Sequence, residues 1–513
     1  LVTEPLFREV GEDGYVHDVN VEGDLASATR RVFGCIAGMN LGLIDNCTAV
    51  LTGAGKTLTQ ICGGIVGKNG DGTVNTMSYT VQVSREGGTI SNCIATMENM
   101  ESSSNIIGGI AGASFGGKIE NCTLTKDSSI TVQANYSCVG GIVGAGGGTR
   151  INSCMTEEGA VLVGTGGQSL SGGVVGMAHK IMIENTENHM NITGAAYSGG
   201  FIGQSNEGCT IKNSRNYGSV TGSVYGFGGF VGRCLDVELT DCVNYGEITG
   251  TAASRGGCGG LIGRICNWLN SAGGTASILR CGNEAPISGG GNYGVGGLIG
   301  SVTVADSAPI EDSYSIGTIT GTPQSEAGLI GGGSTTIENS YGLKSRDAET
   351  GYWYDEGGEL EEMSLSSFTS GELAYLLDGG AESDRGVWTQ RELPVLGTPK
   401  VYPLTLQVEL DGTAVPAEGY AAIGGRTENI YQGADEAIDL KVTLPSYENE
   451  QYGPQYEYQY SVAVIPADGS GETLDLVMLA DETEVRVSIT LEQVGFIEEP
   501  PAPSVKPEEP GKD

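Results

Sequence analysis

Positive charge is scarce in this sequence. Its 513 residues include 26 Lys and Arg against 63 Asp and Glu, which gives a formal net charge of −37 at pH 7. Nucleic-acid binding and attraction to anionic membranes both depend on clustered Lys and Arg. The deficit argues against both kinds of partner. The negative charge is also unevenly distributed along the sequence. Residues 1–343 carry a net charge of −13 and residues 344–513 a net charge of −24.

Long apolar runs and common catalytic motifs are missing as well. No stretch approaches the ~18 apolar residues of a membrane-spanning helix, so we expect no membrane insertion within this segment. Histidine occurs only as His17, His179 and His189, and neither an HExxH nor a GxSxG motif is present. The sequence therefore predicts no catalytic residues, no cofactor-binding residues and no enzymatic activity for this chain.

Calcium motifs are absent too, because neither the EF-hand loop nor the GGxGxDxUx nonapeptide occurs. Two groups of acids nevertheless lie close in sequence, namely Asp236, Glu238 and Asp241, and Asp306, Glu311 and Asp312. They are compatible with bound Ca²⁺ or with a solvated acidic surface.

Glycine, by contrast, is abundant, at 86 of 513 residues against about 7% in average proteins. Much of it falls in a recurring Gly-Gly-Φ-Φ-Gly block, in which Φ is apolar. The first and last glycines of the eight regular copies are Gly63 and Gly67, Gly108 and Gly112, Gly140 and Gly144, Gly172 and Gly176, Gly199 and Gly203, Gly228 and Gly232, Gly259 and Gly263, and Gly296 and Gly300. Degenerate copies begin at Gly34 and Ala327, so ten copies recur every ~33 residues, a spacing typical of stacked repeats.

A second block follows each glycine block and consists of an aliphatic residue, any residue, a polar residue and a small residue. The polar position holds Asn46, Asn92, Asn121, Asn185, Asn213 and Asn339, with Ser153, Asp241, Arg280 and Asp312 in the other copies. The small position holds Cys47, Cys93, Cys122, Cys154, Cys242 and Cys281, with Thr186, Ser214, Ser313 and Ser340 in the other copies. A third block recurs as Asn216–Gly222 and Asn244–Gly250.

These short β-prone blocks predict an all-β fold, a right-handed parallel β-solenoid of about ten coils over residues 30–343, preceded by a lead-in over residues 1–29. Stacked coils bury a continuous core that one coil cannot bury alone. We expect glycine to supply positive φ at the corners, and asparagine, which tolerates the left-handed region, to turn the chain before each small residue. The longer intervals 63–108 and 259–296 predict protruding loops. A β-propeller fits the period but requires four strands per blade.

The sequence contains 13 cysteines, all between Cys35 and Cys281 and without a CxxC pattern. Because their recurring position also accepts Ser and Thr, it is a packing position, which favours buried free thiols. Disulfides between neighbouring coils and metal ligation remain alternatives.

The glycine blocks resemble the GLUG motif, whose Gly-Leu-Ile-Gly core stands here as Gly260–Gly263 and Gly297–Gly300. The resemblance covers ten copies over residues ~30–343. GLUG arrays occur in secreted and surface proteins of bacteria, including the non-catalytic N-terminal part of some IgA-cleaving metallopeptidases. The stretch Phe368–Gly379, followed by Trp388, is similar to the segment that commonly follows such arrays. The resemblance implies an extracellular scaffold on a bacterial cell surface, with possible cell-wall anchoring and further linked domains, and it transfers no catalytic residue.

The last third of the sequence follows other patterns. Residues 344–400 predict a segment that caps the solenoid with a short helix, in which Leu373, Leu376 and Leu377 share one face, Thr369 or Ser370 is the N-cap, and Gly379 follows the C-terminus. Alternating apolar residues over 401–497 predict a small Ig-like antiparallel β-sandwich. Residues 498–513 are typical of a Pro/Glu linker.

The sequence as a whole predicts a non-catalytic surface scaffold or adhesin-type binding module for a host or cell-wall glycan or a protein. Tyr456, Tyr458 and Tyr460 share one strand face and form either a ligand platform or part of the sandwich core. An accessory region of a larger secreted hydrolase, with its catalytic domain outside this chain, is the alternative. A carbohydrate-active β-helix would need acids and bases that converge on one face, but the basic residues are scattered over residues 1–343.

Overall fold

The structure is a computed structural model with two compact units, residues 1–365 and 366–513. It describes residues 2–28, 30–54, 60–102, 105–251, 256–266, 274–289, 294–303, 307–321, 328–343, 350–354, 360–364, 370–378, 388–390, 394–396, 400–466, 476–478 and 483–500.

The first unit consists of strands that pair in parallel from one repeat to the next, an arrangement consistent with a β-solenoid. One repeat shows the order of the strands: Cys138–Gly140, Val143–Gly147, Arg150–Asn152, Met155–Thr156 and Val161–Gly164. Each strand joins its counterparts in the neighbouring repeats. We call residues 7–343 the array. Its parallel ladders differ from the antiparallel blades of a propeller.

Two sheets of the array meet at the glycine blocks. The glycine sheet has nine strands: Val32–Gly34, Ile61–Gly63, Ile106–Gly108, Cys138–Gly140, Leu170–Gly172, Tyr197–Gly199, Phe227–Gly228, Cys258–Gly259 and Val295–Gly296. The second sheet has ten strands: Phe7–Val10, Ala37–Asn40, Val66–Asn69, Ala111–Phe115, Val143–Gly147, Val175–His179, Ile202–Ser205, Val231–Cys234, Ile262–Ile265 and Ile299–Val302.

The third sheet is formed by the aliphatic start of each second block. Its eleven strands are Tyr15–His17, Leu43–Asp45, Thr89–Ser91, Lys118–Glu120, Arg150–Asn152, Met182–Glu184, Cys209–Lys212, Asp236–Thr240, Thr275–Leu279, Ile310–Glu311 and Ile337–Glu338. The register places each central aliphatic residue beside the next, as in Ile90 beside Ile119 and Ile119 beside Ile151. This column lies in the core because alternate residues of a strand face the same side.

The fourth sheet begins with three long strands and then divides into two ladders of short strands. Its parallel strands are Asn20–Asp24, Thr48–Ala54, Ile94–Ser102, Thr123–Leu124, Ser129–Val132, Met155–Thr156, Val161–Gly164, Glu187–Asn188, Asn191–Gly194, Arg215–Asn216, Val220–Gly222, Val243–Asn244, Ile248–Gly250, Gly282–Asn283, Ile287–Gly289, Tyr314–Ser315, Ile319–Thr320 and Ser340–Leu343. Antiparallel strands Thr350–Tyr354 and Leu360–Ser364 then follow Ser340–Leu343.

Parallel pairing starts before residue 30, within the predicted lead-in, since Phe7–Val10 pairs with Ala37–Asn40. The long interval 63–108 contains an antiparallel hairpin, Asp71–Asn75 with Thr80–Arg85. Residues 267–273 and 290–293 of the other long interval lie outside the described residues.

The second unit contains helix α1, Glu372–Leu377, which buries Leu373, Ala374 and Leu377, while Leu376 is half-buried. Its N-cap is Gly371, at φ 93°, although Ser370 Oγ accepts a hydrogen bond from the N–H of Glu372. Thr369 and Gly379 lie outside the described residues. The helix contacts strands Trp388–Gln390, Pro394–Leu396, Val401–Leu410 and Ile430–Gly433 of its own unit.

The strands of the second unit form small sheets around a separate apolar core. They are Trp388–Gln390 with Pro394–Leu396, then Val401–Leu410, Thr413–Val415, Ile430–Gly433, Gly453–Pro466 and Thr483–Ile497, and the pair Ala421–Ile423 with Leu440–Val442.

The prediction of an antiparallel sandwich over residues 401–497 is wrong for one pair of strands. Val401–Leu410 runs parallel to Thr483–Ile497, with Leu404 opposite Thr483. These strands come from opposite ends of the unit, so no tight hairpin turn imposes an antiparallel direction on them. No helix of the described residues in either unit is long and apolar enough to cross a membrane.

Candidate functional site

A second apolar cluster lies outside the core of the array, where the glycine sheet meets the second sheet. In strand Ile106–Gly108, Ile107 belongs to the core and Ile106 to this outer cluster, because successive side chains of a strand face opposite sides. Ala113, Cys138 and Met177 belong to the same outer cluster. We use the name groove for the outward-facing side of this junction between the glycine sheet and the second sheet.

The hairpin Asp71–Arg85 covers the middle of the groove. Val81 is buried in the outer cluster together with Phe115. A Cβ atom at Gly147 would lie 2.7 Å from Cγ1 of Val81, so the hairpin packs directly on the backbone of the second sheet. The inserted segment therefore shapes the groove instead of protruding as a free loop.

Beside the hairpin lies a set of residues that we call the tyrosine–arginine cluster: Tyr79, Gln168, Tyr197, Tyr225 and Arg233. The rings of Tyr197 and Tyr225 are stacked, with centroids 5.0 Å apart. The guanidinium carbon of Arg233 lies 5.1 Å from the ring centroid of Tyr197 and 5.7 Å from that of Tyr79. Such geometry is typical of cation–π interactions.

Gln168 joins the two half-exposed tyrosines of the cluster. Its Nε2 donates a hydrogen bond to Oη of Tyr225, and its Oε1 accepts one from the hydroxyl of Tyr79, both at 3.4 Å. All three side chains are half-buried, so the network reaches the surface of the groove. The hairpin, the loop before the strand Leu170–Gly172 and a later repeat each supply one of these residues.

The electrostatics of the cluster suit binding rather than acid–base chemistry. Arg233 is 1% exposed, and its Nη1 donates to Oε1 of Gln204 at 3.2 Å. Burial raises the pKa of Tyr197 to about 12 and also raises the pKa of Tyr79, so both hydroxyls are protonated at neutral pH. The half-buried members of the cluster offer ring surface and hydrogen bonds, and the buried cation of Arg233 packs behind them.

A second aromatic stack lies on the outer side of the fourth sheet. The rings of His189 and Tyr217 have centroids 4.4 Å apart, and those of Tyr217 and Tyr245 are 5.0 Å apart. The rings cover one another face to face along successive repeats. This stack supports the array, and Tyr217, 43% exposed, serves below as a matched comparison for Tyr225.

The three predicted platform tyrosines of the second unit do not share one environment. Tyr458 packs against the core of that unit, Tyr456 makes an edge-to-face contact with Tyr447, and Tyr460 is 51% exposed. A register shift between Gln455 and Tyr456 interrupts the regular pairing of their strand. They therefore form no flat, uniformly exposed surface.

The residues at the polar repeat position turn the chain as predicted. Asn46, Asn92, Asn121, Ser153, Asn185, Asn213, Asp241, Arg280, Asp312 and Asn339 all have φ between 41° and 56°. Neighbouring amides connect along the surface, since Asn213 Nδ2 donates to Asn185 Oδ1 at 2.6 Å. The prediction of positive φ is wrong for the glycines of the eight regular blocks, although Gly328 of the last degenerate copy has φ 66°. These positions require glycine because the backbone packs too closely for a side chain. A Cβ atom at Gly63, for example, would lie 2.0 Å from the carbonyl oxygen of Val66.

All thirteen cysteines are buried free thiols. At the small repeat position, the thiol of Cys93 donates to the carbonyl oxygen of Ser91 at 3.0 Å, and the hydroxyl of Ser214 makes the same contact with Lys212 at 2.8 Å. This shared contact explains why Cys, Ser and Thr alternate there. Burial raises the pKa of the Cys122 and Cys281 thiols, which keeps them protonated and unreactive.

The candidate calcium ligands do not form a site in the described part of the chain. No three His, Cys, Asp or Glu residues are grouped there in a way that could hold a metal ion. Asp241 forms an ion pair with Arg280 at 2.6 Å, and Asp236 accepts a hydrogen bond from Thr275 at 2.7 Å. Asp306 lies outside the described residues.

No local sequence pattern marks the tyrosine–arginine cluster, because its members are spread over residues 79–233. A signal was present from repeat to repeat: the residue after the last glycine of the block is polar in four successive repeats, as Gln204, Arg233, Arg264 and Ser301, but apolar in the three repeats before them, as Ala113, Ala145 and Met177. No family model, curated protein or solved structure matches this chain. A functional assignment therefore depends on the chemistry of these residues.

Proposed function

We propose that this chain is a non-catalytic binding module whose ligand lies in the groove, against the tyrosine–arginine cluster. The supporting observation is the convergence of the half-exposed Tyr79, Gln168 and Tyr225 on one surface, beside the buried Arg233. Ligand sites combine apolar and aromatic surface with a few oriented polar groups. A glycan fits this chemistry, since its hydroxyls match Gln168 and the tyrosine hydroxyls while its C–H faces match the rings.

The proposed architecture extends the observed parallel sheets. We propose a right-handed solenoid of about ten coils, followed by a capping segment over residues 344–400 and a sandwich over residues 401–497. In support, successive glycine strands pair in register from Val32–Gly34 to Val295–Gly296. A rigid column of this kind positions a groove without needing to move.

We also propose that the chain belongs with GLUG-repeat proteins of bacterial cell surfaces and acts there as a scaffold or adhesin. The ten glycine blocks support this proposal. Its ligand would then be a neutral cell-wall or host glycan. The net charge of −37 repels anionic polymers except where basic residues cluster locally.

The proposal is tested by isothermal titration of the purified chain with chitotetraose, a soluble neutral oligosaccharide of N-acetylated sugars. We expect the substitutions Tyr225→Ala and Gln168→Ala each to weaken binding about tenfold, equivalent to ~1.4 kcal/mol. Tyr217→Ala removes a similarly stacked tyrosine on another face and should leave the affinity unchanged. Absent binding, or equal losses in the Tyr217 and Tyr225 variants, would contradict the groove as the binding site.

A separate assay tests the non-catalytic part of the proposal. The chain is incubated with IgA and with soluble polysaccharides, and the products are analysed by gel electrophoresis and chromatography. We expect no cleavage. Release of fragments that depends on this chain would show an enzyme and overturn that part.

A further inference from the structure

A pocket of about 240 Å³ lies at the N-terminal end of the array, and basic side chains surround it. Arg8, Arg30, Arg31 and Lys68 line it together with Val32, Met39 and one acidic residue, Glu4. Residues 1–343 contain 16 basic residues and carry net negative charge, so four in one pocket form a local exception. This pocket is separate from the tyrosine–arginine cluster.

Only part of this positive charge is compensated within the chain. Arg30 forms an ion pair with Glu4 at 3.2 Å, and Lys68 forms one with Asp71 at 3.1 Å. Arg8 and Arg31 are exposed and make no ion pair with any carboxylate of the described residues. Two guanidinium groups at one pocket match carboxylates, to which arginine donates paired hydrogen bonds.

The strand that carries Arg8 also ends a sheet. Phe7–Val10 is the outermost strand of the second sheet, and it pairs with Ala37–Asn40 on one side and with no strand of the described residues on the other. Leu6 and Phe7, at the same edge, are 46% and 40% exposed. An open strand edge with exposed apolar side chains can accept an added strand from a partner.

We propose that this edge binds an extended acidic peptide, which adds a strand beside Phe7–Val10 and places a carboxylate side chain in the pocket of Arg8 and Arg31. The alternation of side chains along a strand directs every second residue of the peptide to the same side. A peptide backbone has regularly spaced N–H and C=O groups that pair with the open edge. A sugar polymer lacks these groups. The aliphatic Val32 and Met39 suit the methylene groups of a glutamate side chain.

The test is fluorescence polarisation with a labelled peptide, Glu-Val-Glu-Thr-Glu-Val-Glu, at about 0.15 M salt. At that ionic strength the Debye length is ~8 Å, so repulsion from the rest of the acidic chain is screened more than direct pairing in the pocket. We expect Arg8→Gln and Arg31→Gln each to weaken binding about tenfold. Arg150→Gln, at an exposed arginine of the third sheet, should leave it unchanged.

A peptide with Gln in place of every Glu should bind at least tenfold more weakly. Hydrogen exchange should also show protection of the Phe7–Val10 amides by the acidic peptide. Equal binding of the Gln peptide, equal losses with Arg150→Gln, or unprotected amides would each overturn the proposal. So would binding of a glucuronic acid oligomer without binding of the peptide, since that result identifies an acidic glycan site. Tyr225→Ala should not affect peptide binding, which separates this site from the groove.

Discussion

Asn188 and Asn216 are joined through their side chains inside the array. Nδ2 of Asn188 donates to Oδ1 of Asn216 at 2.8 Å, and both residues are fully buried. Asn216 makes the same contact with Asn244 at 2.7 Å, and each Nδ2 also donates to a backbone carbonyl two residues further along the chain. A shift in register would leave these amides buried without partners, so the ladder specifies how successive repeats align.

We expect Asn216→Ala to lower the free energy of unfolding by about 3 kcal/mol. The substitution removes one of the two acceptors of Asn188 Nδ2, the donor to Asn244 Oδ1 and the side-chain donor to the buried carbonyl of Gly218. The comparison is Asn213→Ala, at an exposed residue with positive φ. This substitution should lower the free energy of unfolding by only ~1 kcal/mol, because alanine adopts the left-handed conformation less readily. Urea denaturation followed by circular dichroism measures both changes. Equal losses would show that the buried ladder contributes no more than the surface turn.

Ser153 occupies a left-handed position, at φ 53°, where most other repeats have asparagine. We expect Ser153→Asn to stabilise the chain by about 0.5 kcal/mol, because asparagine adopts this conformation at lower cost. Ser214→Asn should instead destabilise it, since Ser214 is buried and its hydroxyl contacts Lys212. Thermal denaturation measures the melting temperatures of both variants and of wild type. A melting temperature of Ser153→Asn below that of wild type would contradict the prediction.

Stability should fall as the pH rises from about 9 to 12. Burial raises the pKa of Cys35 to about 12 from its ordinary value of 9.0, and it raises the pKa of Cys258 similarly. In this window the unfolded chain loses the thiol proton while the folded chain retains it, so each thiol lowers stability by up to ~1.4 kcal/mol per pH unit.

The check on this pH dependence compares wild type with Cys35→Ala in urea denaturation at pH 8, 9, 10 and 11. The variant is expected to start less stable at pH 8 because of the cavity, but to lose stability less steeply above pH 9. Parallel slopes would show that Cys35 ionises equally easily in both states.

The predicted sites differ in how far the sequence could locate them. Asn92 and Cys93 were identifiable because a turn and the small residue after it recur at a constant local spacing, and local spacing decides local conformation. The sequence left two readings open for Tyr456, Tyr458 and Tyr460, because alternation shows which residues share a strand face but not which part of that face is covered. The parallel pairing of Val401–Leu410 with Thr483–Ile497 was equally hidden, since it joins strands distant in sequence.

By itself, the sequence determined the parallel β architecture and the burial of the repeated cysteines. The reason is that one short pattern, repeated ten times, gives every strand an identical neighbour to pair with. Only the tertiary structure decided that Tyr79 meets Gln168 and Arg233, and that Arg8 and Arg31 line one pocket. Those arrangements depend on the path of one non-repeating hairpin and on how neighbouring repeats stack, which the repeated pattern of any single repeat does not encode.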